Sequence, residues 1–205
     1  MKKIILVLSA ALLTFVNVKA QDGKAAAKVF SNFNYDLSTE DNEHAYKAFE
    51  IKRAYLGYNY SFDNNLSAKI TFDVGADDVS AYTAYLKIAA LSWKATDKLT
   101  LNFGQVGTNN FKFQEKAWGK RYIEKSALDK YKWASSADAG ISGTFKVSEM
   151  ISLDAQVING EGYKGVQSSD GLLRTGAGLT IKLFNNMSCR IFRDNLPTAD
   201  SSLID

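Results

Sequence analysis

The 205-residue sequence predicts an all-β protein, an antiparallel up-and-down transmembrane β-barrel of which about eight strands are present. Three observations lead there. Apolar and polar residues alternate with period two in blocks of roughly ten. Short and long links take turns between the blocks, and aromatic side chains gather near block ends.

The clearest block sets Leu66, Ala68, Ile70, Phe72 and Val74 on one face against Ser67, Lys69, Thr71 and Asp73 on the other. The same split recurs in Leu99, Leu101 and Phe103 against Thr100, Asn102 and Gly104. It returns in Ala139, Ile141 and Phe145 against Asp138, Ser142, Thr144 and Lys146, and in Ile151, Leu153, Ala155 and Val157 against Ser152, Asp154 and Gln156. The blocks fall at 28–37, 49–62, 66–74, 82–94, 99–107, 137–147, 151–159 and 172–184, with a ninth beginning near Ser188. Short turns occupy 61–65, 95–98 and 147–150. Longer polar links occupy 38–48, 75–81, 108–136 and 160–171.

Period two does not say which face meets water, and a soluble sandwich would bury the same apolar side chains. The aromatics favour lipid, with packing of these rings in a sandwich core as the alternative. Tyr58, Tyr60 and Phe62 close one block beside a short turn, Trp93 ends another, and Phe103 and Phe145 sit near block ends, as in an interfacial girdle. Mid-block apolar residues such as Ala54, Ala68, Ala84 and Ala155 are small, which suits lipid contact better than an interlocked core.

Composition removes other classes. One Cys and one Pro exclude a disulfide framework and a Cys-rich metal site. The formal charge of +3 belongs to the first 20 residues, where Lys2, Lys3 and Lys19 flank an apolar run over 4–16 and Val18 and Ala20 precede Gln21. That is the layout of a cleaved secretory signal peptide. Without it, 22 basic residues face 22 acidic ones, so no basic surface for nucleic acid remains. No later segment has the roughly 18 apolar residues of a membrane helix.

Segments 49–60 (FEIKRAYLGYNY) and 69–73 (KITFD) resemble a hairpin of the phosphate-selective porins of the O and P type. So do 91–94 (LSWK), 99–105 (LTLNFGQ), the pair Asn110 and Phe111, 121–126 (RYIEKS) and 138–141 (DAGI), in family order over about 49–181. The resemblance implies a trimeric, sixteen-stranded outer-membrane pore whose lumen selects anions with lysine and arginine. Only Arg53, Arg121 and Arg174 lie within the matched region, so a ladder of arginines is not visible and a general small-solute pore is expected.

At about ten residues per crossing plus links, the chain after its leader makes roughly half such a barrel. Residues 1–20 are therefore read as signal peptide and 21–187 as the N-terminal part of the barrel. Residues 188–205 are read as an atypical tail, truncated or frame-shifted, because Cys189, Pro197 and two of the five arginines fall there and the end, Ser201 to Asp205, is not an aromatic-terminated strand.

The expected function is a porin, or a fragment of one, for passive diffusion of small anionic or neutral solutes. Its partners are outer-membrane lipid and, at full length, two further copies of itself. The alternative is a closed eight-stranded barrel acting as a structural or adhesion module without a pore. The pore-lining candidates are Arg53, Lys69, Asp73, Lys112, Lys116, Lys120, Arg121, Lys125 and Arg174. Arg53, Lys69 and Asp73 share polar faces of adjacent strands, either as opposed charges across a lumen or as structural ion pairs.

Link 108–136 interleaves lysines with Phe111, Phe113, Trp118, Tyr122, Tyr131 and Trp133. Its length suits either a loop folded into the lumen, where ammonium groups favour anions, or an exterior loop with a helical turn at 120–132. Gly160, Gly162 and Gly165 have dinucleotide-loop spacing, but a strand rather than a helix follows, so a flexible exterior loop is expected. Residues 39–43 and His44 lack calcium-loop spacing and a ligand set. No catalytic arrangement, metal site or cofactor site is expected.

Overall fold

The computed structural model describes residues 23–35, 47–76, 81–167, 171–184 and 187–197. Nine strands form one antiparallel sheet in sequence order: β1 (Gly23–Tyr35), β2 (Lys47–Ser61), β3 (Leu66–Ala76), β4 (Tyr82–Lys94), β5 (Leu99–Gly107), β6 (Ala137–Lys146), β7 (Ile151–Ile158), β8 (Arg174–Phe184) and β9 (Met187–Asn195). Two helices, α1 (Asn109–Trp118) and α2 (Ala127–Lys130), lie in the link between β5 and β6. Among the described residues no helix is long and apolar enough to cross a membrane. The sheet is open, with β1 and β9 as its edges.

The alternating blocks and the strands coincide within a few residues, with two differences. β1 starts at Gly23 rather than Lys28, because Gly23, Ala25, Ala26 and Ala27 carry no polarity contrast to read. β9 falls where a change of composition marked an atypical tail. It pairs with β8 from Lys182↔Ser188 to Thr175↔Asn195. Among the described residues the sheet has nine strands, the eight expected blocks and the ninth near Ser188. The leader 1–20, the acidic segment 39–44 and the end 201–205 lie outside the described residues.

Three turns are built by the same device. Asp63 Oδ1 accepts the amides of Asn65 and Leu66, Thr96 Oγ1 those of Lys98 and Leu99, and Ser148 Oγ those of Met150 and Ile151. Each side chain thus satisfies amides two and three residues on, as Asx and ST turns do, and each restarts the ladder at a branched apolar residue.

Burial is inverted relative to a soluble protein. Leu56, Ile70, Phe72, Leu86, Leu91, Phe103, Ile141, Leu153, Val157 and Ile191 are exposed, along with Tyr58, Phe62, Trp93 and Phe145 at strand ends. The buried side chains are mostly polar: Asp73, Thr108, Ser126, Asp138, Ser142 and Gln156. A continuous apolar face of this extent is unstable against water and stable against hydrocarbon. The polar face is the covered one.

Candidate functional site: the covered polar face

The cover is the link 108–136, and its neck is fixed at both ends. Thr108 donates its amide to the Ser136 carbonyl at 3.1 Å and its hydroxyl to the Ser135 carbonyl at 2.6 Å. The amide of Asn109 then donates to Gln156 Oε1 on β7 at 2.9 Å, so a buried side chain of the wall satisfies one of the orphan donors at the start of α1. Gly119, at φ 63°, ends α1 by donating its amide to the Glu115 carbonyl, the left-handed cap that favours glycine. The helical turn expected within 120–132 is α2, Ala127–Lys130, and a longer helix, α1, Asn109–Trp118, precedes it.

The far side of α1 is held by Arg190 of β9. Its guanidinium grips Asp154 with two nitrogens, at 2.6 and 2.9 Å, donates to Thr180 Oγ1 at 2.8 Å and to Asn110 Oδ1 at 3.1 Å. It also stacks against Phe113 and Phe192 at 5.4 and 5.1 Å. Sequence reasoning missed Arg190 because it lies in the stretch set apart as a tail.

A second cluster centres on Asp73, which is 1% exposed. Arg53 Nε lies 2.8 Å from Asp73 Oδ1, Lys87 Nζ 3.5 Å from Oδ2, and the Tyr163 hydroxyl donates to Oδ2 at 2.6 Å. Register explains the assembly. Tyr55 and Tyr85 flank Asp73 on the neighbouring strands, and Arg53 and Lys87, each two residues from one of these tyrosines, share their inward face. Lys87 was not among the candidates, although a lysine inside the apolar run from Tyr85 to Leu91 was a legible signal. Arg53 and Asp73 are therefore an ion pair on adjacent strands rather than opposed charges across a lumen.

The remaining arginine candidates are likewise neutralised. Arg121 pairs with Asp129 and lies 3.5 Å from Glu115, and Arg174 donates Nε to Asp194 Oδ2 at 2.8 Å. Lys120 and Lys125 are exposed within the link, Lys120 over the Tyr122 ring at 6.0 Å. Lys116 borders a hollow of about 1250 Å³ beside Lys146 and Lys182, at the short-turn end of β6 to β8.

Lys69 and Lys112 differ from these. They share a cavity of about 360 Å³ lined by Asn59, Ser67, Ser92 and Asn102, and among the described residues neither has an ion pair. Lys112 keeps contact with water but is ringed by the concave wall. That crowding, and then the Lys69 ammonium, lower its pKa from the ordinary lysine value. Two like charges facing one polar hollow, unpaired, form a positive field that a mobile anion relieves.

Glycines 160 and 162 donate their amides to Asp138 Oδ2, at 2.8 and 3.1 Å. A protein carboxylate thus fills the place a pyrophosphate would need, and the described part of this loop is tied down rather than flexible. Among the described residues no group of three metal-ligating side chains occurs.

A family model described as phosphate-selective porin O and P matches residues 24–180. No curated protein matches the chain.

Proposed function

Because the chain belongs to the phosphate-selective porin O and P family, we propose that it forms part of the wall of a water-filled pore that passes small anions by diffusion, with Lys69 and Lys112 as the charges they meet. Membership implies a channel and a bacterial outer-membrane location. The observation that carries the finer reading is the inverted sheet. An apolar face stands exposed, and a polar face is overlaid by the link 108–136, with Lys112 of the link and Lys69 of the wall, neither in an ion pair among the described residues, lining one hollow.

The physics runs in one direction. Hydrocarbon satisfies the outward side chains but no backbone group, so the ladders must be internally complete, as they are from β1 to β9. The edges of β1 and β9 then need further strands, which a sixteen-stranded barrel supplies, and three such barrels suit a trimer. Residues 1–20 direct export and are cleaved. Inside, neutralised arginines hold the loop and the wall together, while free lysines raise the local anion concentration.

Planar-bilayer recording of the full-length gene product tests this. Stepwise conductance with a reversal potential on the chloride side of a potassium chloride gradient is the expected result. Absence of steps removes the pore, and a potassium-side potential removes the anion preference.

A further inference from the structure

The loop after β7 does more than connect two strands. Its backbone is nailed to β6: Asn159 donates to the Ala139 carbonyl at 2.9 Å, Tyr163 to the Ala137 carbonyl at 3.0 Å, and Gly160 and Gly162 to Asp138. The two glycines sit at φ 120° and 80°, and a Cβ on Gly162 would lie 2.5 Å from Ser135 Oγ, so only glycine lets the chain lie this close to the neck of the 108–136 link.

From that anchorage Tyr163 crosses the concavity to β3. β6 and β3 are three strand spacings apart, about 14 Å along the wall. Yet the Tyr163 hydroxyl reaches Asp73 Oδ2 at 2.6 Å, joining residues 90 apart in sequence. The ring is seated as well: Tyr85 meets it edge-on at 6.3 Å, and the Lys87 ammonium lies 5.2 Å from its centroid. Lys164 reaches over Tyr85 at 4.5 Å. Burial, then the bond to Asp73, push the Tyr163 hydroxyl above its ordinary pKa, so it stays a donor through the neutral range.

Building on the pore reading above, we propose that residues 159–165 are a strap across the long-loop end of the lumen, closed by the Tyr163 to Asp73 hydrogen bond, which sets the largest solute the pore admits. The strap narrows the passage over β4 and β5 from above, beside the neck of the 108–136 link, and Tyr163 is a positioning residue for it.

Tyr163→Phe removes one oxygen and keeps the ring contacts, so folding, checked by heat-modifiable gel mobility, is expected to be unchanged. Two measurements on the full chain in proteoliposomes decide. The first is the ratio of swelling rates in raffinose and arabinose; it rises several-fold in Y163F, and an unchanged ratio overturns the size limit. The second is trypsin cleavage after the exposed Lys164; it is about tenfold faster once a charge-assisted bond is lost. An unchanged cleavage rate overturns the latch. No swelling by the unaltered protein removes the pore and the size limit together, while the cleavage rates still decide whether the latch exists.

Discussion

Arg190 on β9 and Lys69 on β3 look into the same concavity and differ in what surrounds their charge. The Arg190 side chain is 6% exposed, its partner Asp154 is 8% exposed, and every direction around its guanidinium holds an acceptor or a ring. Lys69 faces amides, hydroxyls and another lysine. Arginine's planar fork suits the first setting and lysine's compact, hydrated ammonium the second. The difference teaches that a cation on the polar face becomes structural or field-forming according to whether register brings it a carboxylate. Arg53, Arg121 and Arg174 fall with Arg190.

The largest effect is therefore expected at the structural end. Arg190→Ala strands Asp154 without its partner and frees Asn110 and Phe113, so stability falls by about 3 kcal/mol. A lowered urea midpoint of the folded protein in lipid, with the anion preference of any surviving pore little changed, is the expected outcome. A midpoint equal to that of the unaltered chain would show that the link 108–136 is held elsewhere.

The field-forming end should respond the other way round. Replacing both Lys69 and Lys112 by alanine removes no ion pair and leaves stability within about 0.5 kcal/mol. It also removes two charges from the solute path, worth together ~1 kcal/mol across water, or roughly a fivefold drop in the chloride-to-potassium permeability ratio. A reversal potential unmoved by the double substitution would sharpen the comparison against us, placing the selective charges on Lys116, Lys120 or Lys125.

The wall was legible and the bonds across it were not. Period two located β2 to β8 because each outward residue contrasts with its inward neighbours. β9 was marked only by its start near Ser188, because Phe192 stacks on the inward Arg190 while Arg193 stands on the outward face, which reverses the expected polarity at its end. The shared turn chemistry of Asp63, Thr96 and Ser148 was present in the sequence at the same offset before Leu66, Leu99 and Ile151, and it marks strand restarts more sharply than composition does. Candidate cations could be chosen by face but not sorted, since Arg53 meets Asp73 only through the register that pairs Tyr55 with Asp73. Tyr163 had no local signal at all: its partner is 90 residues away.

The smallest effect is a pH step, and its sign follows from the crowding at Lys112. Burial first, and Lys69 second, disfavour the ammonium, so the folded-state pKa lies below that of the unfolded chain. Below the folded pKa the charged form costs folding free energy. As pH rises through it toward the ordinary lysine range, that cost disappears and stability recovers. Selectivity moves oppositely: Lys112 loses its charge below the ordinary lysine range, so the chloride preference declines in an early alkaline step. In Lys69→Ala the second cause is gone and the step shifts to higher pH; in Lys112→Ala it vanishes. Reversal potentials titrated through the alkaline range distinguish these, and a step that persists in Lys112→Ala assigns the early deprotonation to another group.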